Sequence, residues 1–106
     1  MKALNYQKLK KSYLAVTLID GKEILIGTPT KRVYDDLKSM SDLIDDNDNV
    51  EAMDELYRDT ASVMRRNKKG VKIDKESLED IMDIEDIIIL YNAYMEFIGE
   101  LSNQKN

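Results

Sequence analysis

The chain has 106 residues, enough for one domain with a modest core and too few for two. Charged residues make up 35% and hydrophobic residues 42%, a balance typical of a globular chain rather than a disordered one. The formal net charge of -5 argues against nucleic acid as a partner, because phosphate binding depends on clustered lysine and arginine. The basic clusters at residues 8–11 and 65–69 are short and lie among acids, which favours solvated surface.

The chain contains neither cysteine nor histidine. Disulfides, thiolate metal sites and thiol nucleophiles are therefore excluded, and the commonest general base is missing. We expect a protein that is not an enzyme and that needs no cofactor and no metal. The N-terminal residues lack the apolar stretch of a signal peptide, and the longest apolar run, residues 87–91, is too short to span a membrane. These features predict a cytoplasmic protein without a membrane partner.

A β-hairpin is predicted near the N-terminus, after a basic and flexible lead-in at residues 1–12. Two runs rich in β-branched and aromatic residues occupy positions 13–19 and 23–27. Asp20 and Gly21 lie between them and tolerate the positive φ of a tight turn.

A helix is predicted directly after the hairpin. Thr28 can cap it, with Pro29 in its first position, where the fixed φ and the missing N–H of proline do no harm. Apolar residues then recur at helical spacing to about residue 44. The polar stretch DDNDN, residues 45–49, favours a turn that ends this helix.

Three further helices are predicted in the rest of the chain. The second begins near residue 50 and ends at Gly70, a glycine in the usual C-terminal capping position. A short third helix begins after Asp74, which is a favourable N-cap residue. Asp83 can cap the fourth helix, with Asp86 three residues on in the manner of a capping box.

These elements predict one α+β domain, mostly helical, over residues 13–101, with the hairpin followed by about four α-helices. Residues 102–106 are predicted to be a loose tail. The six methionines fall mostly at core spacing, and a flexible methionine-lined binding surface is the alternative.

The turn after the first helix superficially resembles a calcium-binding loop. Asp45, Asn47 and Asn49 match the first three ligand positions. Position six is Val50 instead of glycine and position twelve is Leu56 instead of glutamate, so we interpret the stretch as a turn between helices.

The last predicted helix, residues 84–101, is unusually apolar. Apolar and aromatic residues cover roughly 220° of its circumference, whereas a surface helix needs a little over 100°. One stripe, suited to the core of the domain, contains Ile84, Ile87, Ile88, Tyr91, Met95 and Ile98. A second stripe contains Leu90, Ala93, Phe97 and Leu101, and it is the candidate surface for a partner or for self-association into a homo-oligomer. Burial of both stripes within the domain is the alternative.

Three stretches resemble the tail assembly chaperones of long-tailed bacteriophages, of the type found with Gram-positive hosts. They are TPTKRVYDDL after the hairpin, DELYRDTASVMRRNKKGVKID, and LEDIMDIEDIIILYNAYMEFIGEL. The likeness covers residues 12–101, and its most recognisable parts are the junction at residues 67–70 and the apolar ending.

The resemblance implies a non-enzymatic protein that coats the tape measure protein and helps to recruit tail tube subunits. It also implies expression in an infected or lysogenic bacterial cell and absence from the mature virion. The alternative is a small phage- or plasmid-encoded regulatory protein that inhibits one host protein, whose basic site an acidic surface would suit.

The final residues raise one more expectation from the resemblance. Chaperones of this kind are often made in two forms, the longer one arising when the ribosome slips back by one nucleotide. Gln104, Lys105 and Asn106 can be encoded as CAA AAA AAC, which contains a slippery heptamer in the required phase. A frayed polar tail is the alternative, and the codons of the gene decide between the two.

Overall fold

The computed structural model describes residues 3–46 and 48–103. The prediction of a loose tail at residues 102–106 is wrong at residues 102 and 103, which belong to the last helix, and residues 104–106 lie outside the described ranges. The elements in chain order are β1 (Leu14–Thr17), β2 (Glu23–Ile26), α1 (Lys31–Asp45), α2 (Val50–Met64), α3 (Lys75–Ile81) and α4 (Ile84–Asn103). The predicted fold, a mostly helical α+β chain with an N-terminal hairpin and four helices, is confirmed. A short 3-10 helix at Tyr6–Lys8, which the sequence did not predict, lies within the lead-in.

The hairpin forms where it was predicted, although its strands are shorter. The strands β1 and β2 pair antiparallel, with Leu14 opposite Ile26. Gly21 has a φ of 89° and donates its N–H to the carbonyl of Leu18, which closes the turn. Ile24 and Ile26 are buried, so the hairpin presents an apolar side to the helices.

Helix α1 begins later than predicted; the assignment of Thr28 as its cap is wrong, and Pro29 lies before the cap and not in the first position of the helix. The N-cap is Thr30, whose Oγ1 accepts a hydrogen bond from the N–H of Val33. The carbonyl of Thr28 instead accepts hydrogen bonds of 3.0 and 2.9 Å from the guanidinium of Arg66. Because these bonds hold Thr28 beside the end of α2, the helix begins only after the chain has left that contact.

Helix α2 ends at Met64, and the prediction that it continues to Gly70 is wrong. The side-chain amide of Asn67 donates to the carbonyls of Met64 and Val71, and its oxygen accepts from the N–H of Val71. These bonds fix a turn in which Gly70 has a φ of 67°. The same turn lies against the hairpin, because Asn67 forms a β-bridge with Ile26.

The predicted N-caps of α3 and α4 are confirmed. Asp74 accepts a 2.9 Å hydrogen bond from the N–H of Ser77. Asp83 and Asp86 form the expected capping box, since each carboxylate accepts a hydrogen bond from the backbone N–H of the other residue, at 2.8 and 2.9 Å. This reciprocal pair fixes the residue at which α4 begins.

The hydrophobic core draws side chains from the hairpin and from all four helices. Its most enclosed members include Ile26, Met40, Leu56, Met64, Leu78, Ile87 and Tyr94. The molecule is nevertheless elongated, with a radius of gyration of 14.9 Å, where about 13 Å is expected for a compact chain of this length.

Candidate partner-binding surface along α4

Helix α4 enters the core along one line of side chains. Ile87, Leu90 and Tyr94 are buried, and their spacing of three and four residues places them on one side of the helix. Ile87 belongs to the first predicted stripe, Leu90 to the second, and Tyr94 to neither. The first stripe contacts the core as predicted, since Ile84, Tyr91, Met95 and Ile98 also pack against it. The second stripe is not free of the core, because the buried line runs between the two stripes and Phe97 packs against the core as well.

Tyr94 is the residue that the sequence analysis missed. Its hydroxyl donates a 2.7 Å hydrogen bond to the carbonyl of Gly27, just after β2, and this bond satisfies the polar end of an enclosed side chain. Burial raises the pKa of Tyr94 to about 12, although the charge of Arg66 acts in the opposite direction. Its position midway between the stripes on a helical wheel was the available signal.

The four candidate partner-binding residues differ in their exposure. Leu90 is only 6% exposed and belongs to the core, which corrects its assignment to a free surface. Ala93, Phe97 and Leu101 are partly exposed. Phe97 stacks on Tyr94, with ring centroids 6.0 Å apart and an angle of 29° between the planes.

An open groove of about 290 Å³ runs between β1 and α4. We call it the β1 groove; it is lined by Leu14, Ala15, Val16, Thr17, Leu18, Ile19, Met64, Met82, Asp86, Ile89, Leu90 and Ala93. Ile19 is 63% exposed and Ile89 is 60% exposed. Large apolar side chains that form a contiguous solvent-exposed patch mark an interaction surface.

A second groove of about 200 Å³, the α1 groove, lies between α1 and α4. Tyr91 and Met95 line it from α4, and Tyr34 and Leu37 line it from α1. By helical geometry the side chains of Tyr91 and Met95 point roughly 160° away from those of the β1 groove. Each predicted stripe of α4 therefore borders one open groove.

The C-terminal half of α4 extends past Tyr94, its last fully buried side chain, although Met95, Phe97 and Ile98 still pack against the core. After Tyr94, the apolar side chains of Met95, Phe97, Ile98 and Leu101 are all only partly buried. A helix of 20 residues is about 30 Å long. The apolar surface of α4 thus continues from the grooves towards its C-terminal end.

Asp59 on α2 is a buried charge that the sequence analysis did not single out. It lies three residues after the core residue Leu56, and its Oδ2 has no hydrogen-bond partner. Burial raises the pKa of Asp59 to about 7; a hydrogen bond from Ser39 lowers it, and the charges of Glu55 and Asp36 raise it further. Asp59 lines neither groove, so we interpret it as part of the contact between α1 and α2.

The second basic cluster is mostly exposed, as interpreted from the sequence, but three of its side chains also make contacts within the fold. Arg65 Nε donates to the carbonyl of Ile73, and Arg66 holds the chain before α1. The Nζ of Lys68 lies 5.3 Å from the centroid of the Tyr13 ring. These side chains fix the turn after α2 against the hairpin.

Within residues 3–46 and 48–103, no three acidic side chains come together in a group that could hold a metal ion. No helix in those two ranges is long and apolar enough to cross a membrane. No protein-family model, curated protein or solved structure matches the chain. A function must therefore be inferred from the surfaces of the molecule and from the resemblance in its sequence.

We expect no tight calcium binding at the turn between α1 and α2. Asn47 lies outside the described residues, and the side-chain oxygen of Asn49 already accepts a 2.8 Å hydrogen bond from the N–H of Ala52 as the cap of α2. Val50 and Leu56 replace the glycine and the bidentate glutamate that a calcium loop requires. Calorimetric titration should show no binding, and a micromolar affinity would contradict this prediction.

Proposed function

We propose that the protein is a non-enzymatic tail assembly chaperone of a long-tailed phage. It binds the tape measure protein and helps to recruit tail tube subunits in the cytoplasm of the infected or lysogenic bacterium. The observation that carries the proposal is the partly exposed apolar surface of α4, which continues past Tyr94 through Phe97 and Leu101. The sequence resemblance supports the same function, because its most recognisable stretch includes this helix.

The exposed side of α4 suits a helical client. Ala93, Phe97 and Leu101 follow one another at intervals of four residues, which forms a ridge along the helix. A ridge of this kind packs into the groove between side chains of a second helix. A long and largely helical tape measure protein, as the resemblance implies, presents such apolar faces before it is enclosed in the tail tube.

The acidic side chains next to the ridge favour client segments that carry positive charge. Glu96 and Glu100 are exposed beside the apolar ridge on α4. A client helix with lysine or arginine next to its apolar face would therefore associate faster and more selectively. Because exposed charges are screened by salt, the association should slow at high ionic strength.

Co-expression with the tape measure protein encoded by a neighbouring gene, followed by affinity purification, tests the proposal. The wild type is expected to recover the tape measure protein in soluble form. Phe97→Glu should reduce the recovery about tenfold or more, because an unpaired charge must then be buried in an apolar contact. Circular dichroism should show that the variant keeps its helices.

The matched control is Val50→Glu. Val50 is 74% exposed at the start of α2 and lines neither groove, so the same charge there should leave recovery unchanged. An equal loss in both variants would show that added charge, and not the surface of α4, is responsible. Failure of the wild type to recover the tape measure protein, with capture of one host protein instead, would support the alternative of a regulatory inhibitor.

A further inference from the structure

The hairpin has one edge that the described residues leave without a strand partner. The N–H of Leu18 donates to the carbonyl of Lys22, and hydrogen bonding in an antiparallel pair alternates along each strand. The even-numbered residues of β1 therefore direct their backbone groups towards β2. Those of Ala15 and Thr17 point away from β2, to the open side.

The edge of β2 is covered by the chain itself. The N–H of Gly27 donates to the carbonyl of Arg66, and the N–H of Lys68 donates to the carbonyl of Leu25, both at 2.8 Å. The turn after α2 thus acts as a partial third strand. Within the described ranges, 3–46 and 48–103, β1 is left as the open edge of the sheet.

The open edge also lacks the usual protection against pairing. Natural edge strands carry charges, proline or a bulge that prevent association with another strand. Residues 13–19 contain no charge and no proline, and β1 pairs with β2 in an unbroken register. The open edge borders the β1 groove, where Ile89 is exposed. An extended apolar segment would find both hydrogen bonds and apolar contacts there.

We propose that β1 pairs antiparallel with β1 of a second copy of this chain. A two-fold axis at Val16 places the uncharged residues 13–19 of one copy opposite the same residues of the other copy. Ala15 of one copy then lies opposite Thr17 of the other, and the outward N–H and carbonyl groups of both form hydrogen bonds. The result is a four-stranded sheet whose apolar side chains fill the β1 groove of each copy.

The direction of α4 relative to β1 decides where charges meet in this pair. Tyr94 is bonded to Gly27, close to the N-terminal end of β1, because Leu14 pairs with Ile26. The other end of the hairpin lies beside the start of α4, because Leu18 and Ile19 line the β1 groove together with Met82 and Asp86. Helix α4 therefore runs antiparallel to β1, and its first turn lies near the hairpin turn.

Charge complementarity identifies a second copy as the occupant. The first turn of α4 and its cap carry Asp83, Glu85 and Asp86, and Asp86 lines the β1 groove. The segment that leads into β1 carries exposed lysines at positions 8, 10 and 11. In an antiparallel pair, the lead-in of each copy passes the hairpin turn of the other, so these lysines approach the acids of the partner. The α1 groove and the ridge residues Phe97 and Leu101 stay free for a client, whereas Ala93 lines the groove that the second copy fills.

Light scattering of the wild type and of one strand variant tests the pairing. The wild type is expected to be a dimer at micromolar concentration. Thr17→Lys adds a charge in the middle of the paired edge and should weaken association about tenfold or more. Glu23→Lys is the control, because Glu23 lies opposite Thr17 on the same side of the sheet but on β2. It changes the net charge by more and should remain dimeric. A monomeric wild type, or a dimer that Thr17→Lys leaves intact, overturns the proposal.

Disulfide formation provides a second test, which does not depend on the stability of a charged variant. The chain has no cysteine, so Val16→Cys introduces a single thiol at the proposed axis. The Cα atoms of such a pair are about 4.5 Å apart, within the range that a disulfide spans. Val50→Cys is the matched control, at a side chain that is 74% exposed. If the strands pair, Val16→Cys should oxidise to a covalent dimer faster than Val50→Cys. If the molecules meet only by random collision, the more exposed Val50→Cys should oxidise faster, and that result would overturn the proposal.

Discussion

Asp59→Asn is expected to raise the free energy of unfolding at pH 8 by about 2 to 4 kcal/mol. The wild-type carboxylate is 5% exposed, and its Oδ2 has no hydrogen-bond partner. The neutral amide of asparagine is less costly to bury, and it can donate a hydrogen bond to the carboxylate of Glu55. Urea denaturation of both proteins, at several pH values, measures the difference.

The dependence on pH follows from the raised pKa of Asp59. The carboxyl group has an ordinary pKa of 3.8, and in the folded protein burial raises the pKa to about 7. Between these values the folded state holds a proton that the unfolded state has released, so the wild type loses stability as the pH rises. The loss is nearly complete at about pH 8, one unit above the pKa of the folded state. Asp59→Asn removes this contribution, so the two proteins should differ little near pH 4 and most at pH 8.

Asp80→Asn on α3 is the control for net charge. Asp80 is exposed, so the same substitution there should change the free energy of unfolding by less than about 0.5 kcal/mol. If the difference in free energy of unfolding between the wild type and Asp59→Asn did not grow with pH, the pKa of Asp59 would not be raised in the folded protein. A similar gain in both variants would show that net charge alone is responsible.

The features that the sequence predicted correctly depend on residues close together in the chain. The hairpin turn depends on Asp20 and Gly21, and the start of α4 depends on the reciprocal bonds between Asp83 and Asp86. In both cases the partners lie within three residues of each other, so a local pattern contains the necessary information.

The errors at the start of α1 and at the end of α2 have a different origin. Arg66 reaches the carbonyl of Thr28 across 38 positions of the chain, and Asn67 pairs with Ile26 of β2. The local sequence favoured a helix as far as Gly70. Local propensity takes no account of a distant strand that competes for the same backbone groups. The tertiary contact determined where α1 begins and where α2 ends.

The candidate surface was predictable in extent and not in orientation. The wide apolar arc of α4 indicated more apolar area than one core contact needs. Which part of that arc is buried depends on Tyr94 and its bond to Gly27, 67 positions away. The open edge of β1 could not be predicted for the same reason, since only the folded chain shows that β2 has its outer side covered by the turn near Asn67.

Substitution of Tyr94 is expected to have the largest effect on stability. Tyr94 is fully buried and connects the middle of α4 to the hairpin. Tyr94→Ala should lower the free energy of unfolding by about 3 to 5 kcal/mol, because it removes a whole ring from a packed core. That loss is a large share of the roughly 5 to 15 kcal/mol typical of a domain. Thermal and urea unfolding monitored by circular dichroism measure it.

Tyr94→Phe separates the hydrogen bond from the packing. It keeps the ring and its contact with Phe97 but leaves the carbonyl of Gly27 without its donor, which should cost about 1 to 3 kcal/mol. Tyr91→Phe is the control, since Tyr91 lies on the same helix, is only partly buried and makes no hydrogen bond within the described ranges; it should change stability little. If Tyr94→Phe were as stable as Tyr91→Phe, the bond to Gly27 would not hold α4 in place. The orientation that leaves a groove on each side of the helix would then have to come from packing alone.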